Sequence, residues 1–266
     1  NKAIEYHRKS LAIQMKMLGP RHPTVASSYR NLGELYDARG EDARALDYFE
    51  KALAISVEAL GPKHPEVAQN YEYLGMAHDR AGAHERAISY LDESLEISLK
   101  TFGPEHLRVA RCYNKIGSIH QTLGDYPKAL QYHGKTLAIF RERLSPQHPD
   151  IAMCYNNIGA THHSNSEFDK AIESFGKSLA IRLETLGPDH PEVAQSYNNL
   201  GATHHFKAEY DKTIEYFGKS LAINLKTHGP DHQDVGVIYG NLGAAHFRNG
   251  GYESAIECHE KSLAIQ

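Results

Sequence analysis

Pro20, Pro62, Pro104, Pro146, Pro188 and Pro230 follow one another at a fixed step of 42 residues, and no other feature restricts the fold of this chain as strongly. His22, His64, His106, His148, His190 and His232 keep the same step. So do Gly33, Gly75, Gly117, Gly159, Gly201 and Gly243, and the tyrosines from Tyr29 to Tyr239. By length alone, 266 residues could form one large domain or two small ones. The period decides otherwise: each unit is one supersecondary piece that cannot bury its apolar face alone, so neighbours must stack.

Each unit has two helical stripes. Between Thr24 and Ala38, Val25, Tyr29, Leu32, Gly33 and Tyr36 fall on one face at helical spacing. Gly40 then marks a turn, and from Asp42 to Leu60 a second stripe runs through Ala45, Leu46, Phe49, Ala52, Leu53 and Ser56. Gly61 suits a left-handed backbone just past the helix end, and Pro65 suits a first helical turn, where its missing N–H is no loss. Gly33 and its copies each cost about 1 kcal/mol in a helix interior against alanine. That cost points to a close approach of the second helix, with Ala45 facing the gap.

The frame predicts a lone second helix over residues 1–18 and six helix pairs over 24–60, 66–102, 108–144, 150–186, 192–228 and 233–266, in a single array. With no polar capping helix at either end, the expectation is a piece of a longer array or one that stacks end to end. The expected fold class is all-α, an α-solenoid of tandem helix-turn-helix units.

The order Tyr29-x2-Leu32-Gly33-x2-Tyr36, then Ala45, Phe49 and Ala52, resembles the tetratricopeptide repeat along the whole chain. The unit departs from that pattern in lacking the closing proline and in adding about eight residues to the 34 of the usual repeat. The longer unit, with Leu186-Gly187-Pro188-Asp189-His190-Pro191-Glu192-Val193-Ala194 leading into Tyr197-Asn198-Asn199-Leu200-Gly201, looks like the repeats of kinesin light chains. The resemblance implies a right-handed superhelix and a scaffold whose first helices line a concave groove that holds an extended peptide or a helix. A cargo adaptor of the kinesin light chain type is one alternative, and end-to-end self-association is another.

Chemistry other than binding finds no support in the residues. No Gly-rich phosphate loop after a strand, Walker pattern or Gly-x-Ser-x-Gly elbow occurs, so neither enzyme activity nor a cofactor is expected. A net charge of −4 gives no reason to expect nucleic acid, and no apolar run suits a membrane span. Cys112 and Cys154 occupy equivalent places about 10 Å apart, the spacing of packed helices, which is too far for a disulfide. With Cys258 they read as buried, reduced thiols of a cytoplasmic protein.

The histidines form two ladders. The loop set, His22 to His232, is expected to cap or bridge helix ends. His78, His120, His162, His204 and His246 stand in the place of Tyr36 and are expected to pack with one ring nitrogen hydrogen-bonded. Neighbours such as His162-His163 point about 100° apart on a helix, and repeat-spaced ligands are too distant for one ion, so no dedicated metal site is expected.

By the resemblance, concave side chains come two positions before the repeat tyrosine and one, two, five and eight after it. In the N-terminal half these include Arg30, Glu34, Tyr73, Arg111, Asn114 and Lys115. Arg30, Arg111 and Lys115 match basic places of a carboxylate clamp, but Glu34 and Tyr73 stand where asparagines belong. A weaker preference for acidic peptides remains in that half. The C-terminal half presents Asn156, Asn157, His163, Gln195, Asn198, Asn199, His205 and Asn241. Its amides either hydrogen-bond a ligand backbone or bond neighbouring helices and fix the array, and the two roles are compatible.

Overall fold

Every first helix begins at a histidine. In the computed structural model, which describes residues 2–265, His22, His64, His106, His148, His190 and His232 are the N-cap residues of six helices. Each has an extended backbone, and its Nδ1 accepts the backbone N–H two residues on at 3.1–3.2 Å. The ring thereby satisfies one of the donors that a helix start leaves open, a role usually taken by Ser, Thr, Asp or Asn. Nδ1 must be unprotonated to do so. Asn1 and Gln266, the outer limits of the expected segments 1–18 and 233–266, lie outside the described residues.

The first helices are α2 (Pro23–Asp37), α4 (Pro65–Arg80), α6 (Leu107–Thr122), α8 (Pro149–Ser164), α10 (Pro191–Phe206) and α12 (Gln233–Arg248). The second helices are α1 (Lys2–Leu18), α3 (Asp42–Leu60), α5 (His84–Phe102), α7 (Tyr126–Arg143), α9 (Phe168–Leu186), α11 (Tyr210–His228) and α13 (Tyr252–Ile265). No strand occurs among the described residues, and no helix is long and apolar enough to cross a membrane.

Glycine chemistry sets the second-helix ends. Gly61 follows α3 at φ 85° and ψ 155°, a region essentially reserved for glycine. Its counterpart after α7 is Ser145, which does not take a positive φ. There the helix stops earlier, at 18 residues rather than the 19 of α3, and Leu144 is already extended. At the other turn of the unit, Gly40 has φ 70°, whereas Ser166 and Ala208 hold φ 59° and 58° without being glycine. Such a residue is strained by roughly 1–2 kcal/mol.

The repeat glycine admits a ring. A Cβ on Gly33 would lie 2.5 Å from Phe49 Cε1, and one on Gly201 would lie 2.7 Å from Phe217 Cδ1. Phe49 fills the gap over Gly33, Ala45 is buried in the same core, and over Gly75 the carbonyl of Ala87, the copy of Ala45, lies 3.1 Å from the added Cβ. A ring can approach the α2 backbone this closely only where the facing residue has no side chain.

Two compact units divide the chain, Asn1–Leu123 and Gly124–Gln266. The first contains α1 to α6 and the second α7 to α13. Within each, every helix packs on its neighbours in the chain, which is the all-α tandem helix-turn-helix class. In the first unit Val25, Leu32, Tyr36, Phe49 and Leu74 share one core. In the second, Ala171, Phe175 and Leu200, then Phe217, Ile238 and Leu242, do the same between successive helices.

A polar link recurs where a second helix meets the next first helix. Ser28 Oγ donates to Gln14 Oε1 at 2.5 Å, and Asn70 Nδ2 donates to Ser56 Oγ at 2.8 Å. Farther along, Arg182 donates from NH1 to Ser196 Oγ at 2.8 Å. The column that supplies Gln14, Ser56 and Arg182 supplies Asn224 in α11, but its partner there is Ile238. Asn224 turns Nδ2 back to Ser220 O instead, at 2.9 Å.

Candidate interaction site

First-helix residues selected by the repeat frame fall into distinct environments in the two units. In the first unit, the Arg30 guanidinium lies 5.9 Å from the centre of the Tyr73 ring and reaches Asn70 Oδ1 at 3.5 Å. Burial, and the hydrogen bond that the Tyr73 hydroxyl donates to the Glu34 carboxylate, raise the pKa of that hydroxyl above its ordinary value. Lys115 Nζ stands 3.2 Å from Glu72 Oε1 and 2.7 Å from Met76 Sδ. Asn114 and Lys115 border a cavity of about 200 Å³ with Asp79 and Arg80, while Arg111 is exposed. Two of the three cations expected to meet a ligand thus already have intramolecular partners.

In the second unit, Asn199 Nδ2 donates to Asn156 Oδ1 at 2.9 Å and ties α10 to α8. Asn157 is half-buried on α8 beside Asn156, and its carbonyl accepts the Thr161 hydroxyl at 2.8 Å. Thr203 Oγ1 donates to Asn199 O at 2.7 Å, which uses its only proton. The 3.1 Å contact between His163 Nδ1 and Thr203 Oγ1 is therefore donated by the imidazole. Burial lowers the His163 pKa, consistent with a neutral ring.

Gln195 and Asn198 lie elsewhere on α10. They border a cavity of about 440 Å³ between α10, α11 and α12, together with Glu192, Asn224, Asp234, Val237 and Ile238. Asn198 Oδ1 is buried and accepts no hydrogen bond. Asn241 is half-buried on α12, away from this cavity.

His205 belongs to an aromatic row. Its ring meets Phe206 and Tyr210 edge-on, at 6.3 and 5.6 Å between centroids, and its buried Nδ1 has no hydrogen-bond partner. Phe206 stacks on Phe168 at 5.7 Å and meets His163 at 5.1 Å, yet remains 65% exposed. Phe247 and Tyr252 repeat the arrangement one unit on. The repeat frame selects His163 and His205 but not Phe168, Tyr210 and Tyr252, which begin second helices. Aromatic residues recurring at Phe168, Tyr210 and Tyr252, 42 apart, were the available signal.

The second histidine ladder is partly framework. His162 and His204 pair through Nδ1 with Glu167 and Glu209 at 2.6 and 2.8 Å. Lys212, Lys207 and His204 together hold the Glu209 carboxyl down to about 2. His78 instead stacks on Tyr90 at 5.2 Å. Among the described residues, no group of three or more His, Cys, Asp or Glu is placed to hold a metal ion. All three cysteines are free: Cys112 and Cys154 are buried, but Cys258, expected buried, is only partly so. Burial pushes the Cys154 thiol up to about 12, so it is not a thiolate nucleophile near neutral pH.

A family model described as Tetratricopeptide repeat matches six overlapping stretches, residues 1–56, 44–100, 80–142, 113–184, 150–223 and 197–266. Among solved structures, BtubC from P. vanneervenii is similar with a TM-score of 0.70 at 19% identity, over 85% of this chain and 88% of that one. The kinesin light chain TPR-like repeats of Podosopora anserina give 0.68 at 23% identity, over 78% and 98%. Aspartyl phosphate phosphatase F from Bacillus subtilis gives 0.70 at 17% identity, over 96% and 73%. At such identities the likeness is one of fold. No curated protein matches this sequence.

Proposed function

This chain belongs to the tetratricopeptide repeat family, and from that premise we propose that it is a non-catalytic scaffold that holds a peptide or protein segment against its first helices. The observation that carries this reading is the cavity of about 440 Å³ bordered by Gln195 and Asn198. These are two residues that the repeat frame assigns to the ligand-facing side. The buried, unbonded Asn198 Oδ1 supports it further, because a buried acceptor without a donor is destabilising and a ligand N–H would satisfy it. An extended backbone offers such donors at regular intervals.

The site is narrower than the sequence suggests. Asn156 and Asn199 are engaged with each other, and His163 with Thr203, so they shape the face rather than wait for a ligand. Gln195, Asn198 and the residues across the cavity are the ones we assign to contact.

Selecting peptides from a random displayed library on the full chain tests this reading. Replacing Gln195 and Asn198 together by alanine is expected to weaken the selected peptides about tenfold, with an unchanged melting temperature. Full affinity in that variant, or no selected peptide at all, would overturn it.

A further inference from the structure

Resting on that reading of the face, we infer that the cavity between α10, α11 and α12 is a subsite for a cationic side chain of the bound polypeptide, the guanidinium of arginine or the ammonium of lysine. The repeat supplies its own comparison. One unit earlier, Arg182 leaves α9, places Nε 3.2 Å from Glu192 Oε2 and donates from NH1 to Glu192 O and Ser196 Oγ at 3.0 and 2.8 Å. The residues 42 positions on from Arg182, Glu192 and Ser196 are Asn224, Asp234 and Ile238, and all three border the cavity. The carboxylate is retained and the guanidinium is gone. Asn224 is too short to replace it and bonds its own helix.

The walls select the sign of the missing group. Asp234 has one basic neighbour, His232, whose Nδ1 lies 3.6 Å from Oδ2 while accepting the Asp234 N–H at 3.2 Å. An Nδ1 used as an acceptor carries no proton there and gives the carboxylate no hydrogen bond. Lys226, on the same helix as Asn224, is held by Asp189 at 2.5 Å. The imidazole on the wall, His228, contacts Thr227 Oγ1 at 2.9 Å. The Asn198 amide carries no net charge, and Glu192 is already paired with Arg182, so the Asp234 carboxylate sets the sign. A donor-only head group fits that wall, and Val237 and Ile238 would flank its methylene stem.

Random peptides selected on the full chain provide the probe, with two variants as controls. Asn224→Arg installs the internal guanidinium of the preceding unit, and Asp234→Asn removes the charge with little change in shape. Selected peptides are expected to share one Arg or Lys whose replacement by norleucine weakens binding about tenfold. Both variants should abolish that difference between the arginine or lysine peptide and its norleucine form. Peptides that bind without a shared basic position, or a shared one that both variants bind as the parent does, would overturn the subsite while leaving the scaffold reading standing. Failure to select any peptide would overturn the scaffold reading itself.

Discussion

Asn199 Nδ2 and Asn156 Oδ1 meet at 2.9 Å across the first helices of consecutive units, while Asn198, one residue earlier, faces a cavity with its oxygen unbonded. Adjacent asparagines of the same type thus do different work. Asn199→Ala should lower unfolding stability by about 1 kcal/mol, the usual net value of one such bond. Asn198→Ala should not lower it, because no intramolecular partner is lost and a buried, unsatisfied oxygen is removed. Denaturant melts of the two variants side by side check this, and equal losses would contradict the assignment.

Ala208 carries φ 58° where Gly40, Gly82, Gly124 and Gly250 occupy the same turn. Ala208→Gly should therefore raise stability by about 1 kcal/mol, since the steric strain removed exceeds the added freedom of the unfolded chain. A thermal melt reads the shift directly.

Gly201→Ala tests the close approach of the second helix. Alanine gains about 1 kcal/mol of helix propensity, but its Cβ would sit 2.7 Å from Phe217 Cδ1. Overpacking of that kind costs about 1–3 kcal/mol. The variant is expected to be less stable than the parent in denaturant melts, and a gain in stability would mean that the ring moves aside freely.

Burial lowers the His133 pKa to about 4 from the ordinary 6.5. The unfolded chain then binds the proton more readily than the folded one between those values, so stability falls as pH drops from about 6.5 towards 4. The loss amounts to about 3 kcal/mol, with full stability above the unfolded value. Phe49, Phe175 and Phe217 occupy the same column in other units. His133→Phe should flatten the acid side of the stability–pH curve.

Much of this fold is legible from spacing alone. Pro65, Gly61 and the 42-residue step place the helices and their turns, because backbone chemistry at those positions is local. The loop histidines were expected to cap or bridge helix ends, and the structure supplies the atom that does so. What spacing could not supply is the identity of partners across a gap. Which side chain fills the space over Gly33 depends on its length, and the Phe49 ring is the one that reaches it. The candidate site was half legible for the same reason. Gln195 and Asn198 follow from the first-helix frame, but Glu192, Asn224, Asp234 and Ile238 come from a first turn and from the facing helices. Their significance appears only when each unit is compared with the one before it.

Hydrogen–deuterium exchange of the chain with and without a selected peptide tests the central claim most directly. Binding on the first-helix face predicts added protection in α10 around Gln195 and Asn198 and in α12 around Asp234 to Ile238, with little change along the exposed side of α9. Protection confined to the second helices or to the turns, with α10 and α12 unchanged, would contradict it.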